Sequence, residues 1–120
     1  MDISVKYQNE NIILHISGSI LGEDRIQLSD KIQELVDGGG KNVVLNLQDV
    51  DLMDSVGLGM LVALRGSLMR QEVRLLLSNV DRSVRSLLAI TKLTNVFDLY
   101  DTEDDALADL DNEDKDRFMV

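Results

Sequence analysis

The sequence predicts an α/β fold built on a mixed sheet, and three observations carry that prediction. First, two alternating apolar runs, "ISVKYQ" and "NIILHIS", are separated only by the turn-like "NEN". Two such runs with so short a link form a β-hairpin, hence an antiparallel pair. Second, a helical stripe in "EDRIQLSDKIQELVDGGG" leads into the strand-like "NVVLNL", a passage long enough for a parallel crossover. Third, the strands at 3–8, 43–47 and 73–77 read as apolar mainly on one face. A parallel sheet covered on both faces would show continuous apolar runs, so the helices are expected largely on one side.

The elements follow in order. Ile3, Val5 and Tyr7 share one face of the first strand, and Ile12, Leu14 and Ile16 share one face of the second. Leu28, Ile32, Leu35 and Val36 stand at i, i+4, i+7 and i+8, one stripe of a helix that Gly38–Gly40 stop. Val43, Leu45 and Leu47 define the third strand. A helix then runs to about Arg70, and "VRLLLSN" supplies a strand through Val73, Leu75 and Leu77. Val84, Leu87 and Leu88 mark a short helix and "VFDLY" a last short strand. Thr102 with Asp105 sets up the cap of a closing helix through Ala106, Leu107 and Leu110.

Composition bounds the function. At 120 residues there is room for one domain with a real core. With two Phe, two Tyr and no Trp that core is aliphatic, which argues against aromatic platforms for single-stranded nucleic acid. A net charge of −10 argues against phosphate-backbone binding, which needs a basic face. Residues 1–100 carry 13 acids against 10 bases, whereas residues 101–120 carry 9 against 2. A domain over 1–110 followed by an acidic, solvated tail over 111–120 is therefore expected. The absence of Cys suits a reducing cytoplasm. The longest uncharged apolar run, Val56–Leu64, is too short to span a bilayer, and no charged-then-apolar leader precedes Ile3. A cytoplasmic protein without membrane contact is expected.

The parts of an enzyme are missing from the sequence. The sole histidine, His15, lies in phase with Ile13 on a strand and reads as a surface or edge side chain. One His and no Cys cannot build a Cys–His pair or a multi-His metal site. No G-x-S-x-G marks a nucleophilic serine. The glycines after Ser55 lack a phosphate loop's lysine, and Val62 occupies the third glycine of a dinucleotide fingerprint. Asp109, Asp111 and Glu113 imitate a calcium loop, but Asp114 and Val120 fill its glycine and glutamate positions. No catalysis, metal or cofactor is expected.

The unusual stretch is "DLMDSVGLGMLVALRG", residues 51–66. It places Ser55 at or next to a helix N-cap, where Ser and Asp are favoured because they bond the unpaired first-turn amides. Two glycines in that first turn each cost about 1 kcal/mol relative to Ala. A chain accepts such a cost where another backbone approaches closely or the turn is tight. Leu61, Leu64 and Leu68 form one stripe that seats the helix on the sheet. Leu58, Val62 and Met69 form another. A neighbouring helix is expected to cover Val62 and Met69, and Leu58 is expected on a partner surface. Phosphorylation of Ser55 would add about −1.5 to −2 charges. The helix dipole would tolerate them, while an apolar partner over Gly57–Gly59 would be repelled, with Asp54 adding to the repulsion.

"LNLQDVDLMDSVGLGMLVAL" resembles the core motif of bacterial anti-sigma factor antagonists, the STAS-domain family, through its apolar strand, D-S-x-G-L-G and apolar helix. "ISGSI" and "VRSLLAITKLTNVFDLYDTEDDAL" extend the resemblance along nearly the whole chain. It implies a STAS-like α/β sandwich with a mixed sheet of four or five strands and about four helices. It implies that Ser55 is a phospho-acceptor and that Met53, Asp54, Ser55, Val56, Gly57, Leu58, Gly59 and Val62 contact the partner. That partner would be an anti-sigma factor and serine kinase of the histidine-kinase-like ATPase type, reset by a PP2C-type phosphatase. Three positions depart from the pattern. Val56 replaces a second hydroxyl, Leu21 an acid that tends to lie near the kinase, and Gln71–Glu72 a glycine pair. The residues leave open a non-sigma target, a structural subunit of a transporter assembly and, more remotely, a nucleotide-binding role.

Overall fold

In the computed structural model, residues 1–118 are described, with side chains described through residue 112. Among them the chain order is β1 (Asp2–Gln8), β2 (Asn11–Ile20), a 3-10 turn (Gly22–Asp24), α1 (Arg25–Asp37), β3 (Asn42–Met53) and α2 (Ser55–Arg70). Then come β4 (Arg74–Ser78), α3 (Arg82–Ile90), β5 (Asp98–Tyr100) and α4 (Glu103–Phe118). One mixed sheet runs β1-β2-β3-β4-β5. β1 and β2 form the expected antiparallel hairpin, and every later pairing is parallel.

This strand order dictates where the helices lie. Each step from β2 to β5 moves to the next strand in one direction, and crossovers of one hand then stack their helices on one face. α1, α2 and α3 accordingly share the larger core with Ile12, Leu14, Ile16, Val43, Leu45, Leu47, Leu75 and Leu77. Leu28 and Ile32 of α1, Leu61, Leu64 and Leu68 of α2, and Val84 and Leu88 of α3 fill it from the helix side.

The expectation that β3 and β4 are apolar on one face only is corrected. α4 returns beneath the sheet, and its Ala106, Leu107 and Leu110 cover Ile13, Val44 and Leu76. Val43 through Leu47 are therefore buried on both sides. Thr102 caps α4 as expected, its hydroxyl accepting from the Asp105 amide at 3.1 Å. The helix continues through Phe118, so the boundary expected at residue 110 falls inside it. Two polar clusters fix its position. Burial and the Asp109 carboxylate push the Tyr100 hydroxyl up to about 12, against the opposing pull of Arg74. Burial pushes the Glu103 carboxyl up, but bonds from Lys6 and Asn46 outweigh it and leave it below its usual value. His15 also faces the α4 side, with Nε2 2.7 Å from an Asp49 carboxylate oxygen. β2 lies between β1 and β3, so of the two readings for His15 the surface one stands and the edge one fails.

β3 is longer than the expected 43–47, because it keeps pairing with β2 as far as Ile20 opposite Met53. The β2–β3 register shifts between His15 and Ser17 and again between Gly18 and Ser19. Gly18, at φ +89°, takes the left-handed backbone there. Those irregularities hid the strand, since the buried Val50 and Met53 stand three apart instead of two. The consequence for function is geometric: the ends of β2 and β3 arrive together at the start of α2.

Candidate functional site

Only Asp54 separates β3 from α2, and its extended backbone (φ −91°, ψ 172°) makes it the N-cap. One carboxylate oxygen accepts the Gly57 amide at 2.6 Å and the other the Gly22 amide at 3.2 Å. Asp54 donates its own amide to the Ile20 carbonyl at 3.4 Å. A single side chain thus ties the helix start to the turn that follows β2. Beyond the repulsion expected of its charge, Asp54 is therefore also a clamp, with both oxygens engaged.

With the cap supplied by Asp54, Ser55 becomes the first residue of the helix. It is exposed, and among the described residues no hydrogen bond holds its hydroxyl. Of the two positions the sequence allows, the one next to the cap is found. A serine relieved of capping is available for chemistry from solvent.

The two glycines have opposite surroundings. A Cβ on Gly57 would lie 2.4 Å from the Ile20 carbonyl oxygen. Backbone approach within the chain itself therefore demands a glycine there. A Cβ on Gly59 would meet nothing within 4 Å. Packing does not require that glycine, and its backbone lies bare on the helix surface.

The remaining candidate residues divide in the same way. Val56 is 53% exposed, and it rests on Gly22, where a Cβ would stand 2.8 Å from the Val56 Cγ1. Leu58, expected on a partner surface, is instead 2% exposed and belongs to the larger core. The physical reason is rotational: Leu58 shares a side of α2 with Leu61, so it points at the sheet. Met53 and Gly57 are likewise buried and shape the site from beneath. Val62 is half-buried against the core, whereas Met69, expected beneath a neighbouring helix, stands exposed.

α1 completes the site with residues that sequence reading passed over. A groove of about 530 Å³ runs between α1 and α2, lined chiefly by Arg25, Ile26, Ser29, Val56, Gly59 and Met60. Ile26 is 65% exposed. It lies outside the Leu28–Ile32–Leu35 stripe, and an apolar residue on the wrong side of an amphipathic helix was the signal that could have found it. The arrangement offers a free hydroxyl next in sequence to Val56, which lines a partly apolar groove that also includes Gly59 and Asp30. Among the described residues there is no cluster of side chains able to hold a metal ion, and no helix is long and apolar enough to cross a membrane.

Comparison with known proteins identifies the family and the fold. A family model for the STAS domain matches residues 2–106. A crystal structure of a putative anti-sigma factor antagonist from Thermotoga maritima superposes with a TM-score of 0.82 at 22% identity, over 89% of this chain and 92% of that one. An anti-sigma factor antagonist from Mycobacterium paratuberculosis gives 0.78 at 27% identity, over 89% and 91%. The Bacillus cell fate determinant SpoIIAA in its phosphorylated form gives 0.70 at 19% identity, over 91% and 99%.

Proposed function

The chain belongs to the STAS domain family, and on that premise we propose that it is an anti-sigma factor antagonist that switches partners through phosphorylation of Ser55. The unmodified protein binds an anti-sigma factor that is also a serine kinase of the histidine-kinase-like ATPase type and so frees the sigma factor. Phosphorylation ends that contact, and a PP2C-type phosphatase restores it. The protein acts in the cytoplasm by binding, without cofactor or catalysis of its own.

One observation supports this reading above the others. Asp54 caps α2, so the exposed Ser55 hydroxyl has no structural duty to lose on modification. A phosphate there adds about −1.5 to −2 charges beside the positive end of the helix dipole, which the fold accommodates. The same charge stands next to Val56 and Gly59, which with Asp54 and the outer flank of Val62 form the partner surface. Met53, Gly57 and Leu58 support that surface from within. Every ~1.4 kcal/mol of charge–apolar mismatch there weakens association about tenfold.

The test compares wild type, Ser55→Ala and protein carrying phosphoserine at 55. An ATP-binding serine kinase captured from native lysate should be retained by the first two and lost by the third. With ATP it should add one phosphate to wild type and none to Ser55→Ala. Equal retention by phosphorylated and unmodified protein would sink the proposal.

A further inference from the structure

We propose that Arg25 is the receptor within the chain for the phosphate on Ser55, and that their pairing draws the guanidinium across Val56 and Gly59 and shuts the α1–α2 groove. This rests on Ser55 being the modified residue. It adds a latch to the simple repulsion of a partner by charge.

Four features of the structure lead to Arg25. It lines the same groove as Val56, the neighbour of Ser55, and Gly59. It is exposed and, among the described residues, has no ion-pair or hydrogen-bond partner; Arg65, Arg70, Arg82 and Lys92 share that lack of a partner, but none of them lines this groove. In a chain of net charge −10 an uncommitted cation beside the modified serine is notable chemistry. Arg25 is also the first residue of α1, where the helix dipole disfavours a positive charge. The fold of the unmodified protein therefore gains nothing from it.

The path between the two groups is open. Ser55 and Gly59 are four residues apart, hence one turn apart on the same side of α2. Gly59 has no side chain, and a Cβ there would meet nothing within 4 Å, so position 59 itself puts no bulk in the way. Asp54 is held by the Gly57 and Gly22 amides, and neither it nor Asp30, the acid in the groove lining, pairs with Arg25 among the described residues. A guanidinium pairs with phosphate through two parallel hydrogen bonds, a geometry that an ammonium cannot copy. Once so held, the three-carbon stem of Arg25 lies over the apolar floor that the partner would otherwise use.

Phosphoserine installed at position 55 during translation tests this without any kinase. The phosphate's second ionisation is followed by phosphorus NMR in wild type, Arg25→Gln, Arg25→Lys and, as a charge-matched control, Lys41→Gln at the far end of β3. Glu23, Asp24, Asp30 and Asp54 around the groove all raise that ionisation, and they are the same in every variant. The wild-type phosphate should ionise lower than in Arg25→Gln by about 0.5 pH unit or more, equivalent to about threefold in pairing. Arg25→Lys should recover part of that difference, and Lys41→Gln should match wild type. Nonspecific phosphatase should release the phosphate faster from Arg25→Gln. Identical ionisation in wild type and Arg25→Gln, or an equal change in Lys41→Gln, overturns the latch. Either result leaves the partner-switch reading standing, because that reading fails only if the phosphorylated protein keeps its partners.

Discussion

The first turn of α2 has an inner wall and an outer wall, and the same short motif supplies both. On the inner wall Gly57 faces the Ile20 carbonyl across a gap that admits no Cβ, and Leu58 is sunk in the core. On the outer wall Gly59 looks onto open space, with Ser55 and Val56 exposed beside it. Two glycines that read alike in sequence are thus required by different things. The fold requires the first. Packing does not require the second, and under the proposed function its cost is met by the approach of a partner. The motif fuses a structural lock to a surface that can be changed without disturbing it.

The inner wall should break first and hardest. Leu58→Ala removes a side chain that is 2% exposed, leaves a cavity, and should cost about 3 kcal/mol. Urea denaturation should show a lower midpoint with an unchanged slope. The expected loss is within the ordinary range for buried leucines, and a loss below about 1 kcal/mol would mean that Leu58 is not wedged as described. Gly57→Ala comes next. Its methyl would have to push aside a backbone carbonyl that is itself hydrogen-bonded to Asp54, and overpacking of this kind costs about 2 kcal/mol. The same denaturation experiment reads it, and neutrality would show that the β2 end yields easily.

Asp54 joins the two walls, and its replacement should have an intermediate effect. Asp54→Ala loses a helix cap and leaves the Gly57 and Gly22 amides without acceptors, for about 1–2 kcal/mol. Asp54→Asn keeps a single carbonyl oxygen and can cap the helix or hold the turn, so it should recover roughly half of that loss. Full recovery would show that the Gly22 bond carries no weight. Amide exchange at Gly22 and Gly57 in each variant separates the two contributions.

How much of this was legible in the sequence depended on whether periodicity or close contact carried the information. The hairpin, the mixed sheet and the gathering of α1, α2 and α3 on one side followed from alternation and spacing, and they stand. The burial of Val44 and Leu76 was missed because α4 sits far along the chain and nothing in a strand's own sequence announces what will cover its second face. The second half of β3 was missed because its bulges break the two-residue period. Within the motif, the cost of the glycines was readable and their different reasons were not. That difference depends on a carbonyl from Ile20, more than thirty residues away. Leu58 was assigned outward for the same reason. Ile26 and Arg25 went unnoticed because only the packing of α1 against α2 brings them beside Val56 and Gly59.

The smallest change sharpens the contrast most, because its two readouts should move in opposite directions. Gly59→Ala adds a methyl that meets nothing within 4 Å. It removes a flexible residue from an exposed helical position, so stability should rise by about 1 kcal/mol. The same methyl stands on the bare stretch that the proposed partner covers, where close backbone approach would be blocked, and affinity for the captured kinase should fall by about tenfold. A residue kept for folding loses stability on replacement, and a merely tolerated one loses nothing. Only a position held at the expense of stability for the sake of contact gains the first and loses the second. If Gly59→Ala is more stable and binds as tightly as the parent, the outer wall extends no farther than Ser55 and Val56.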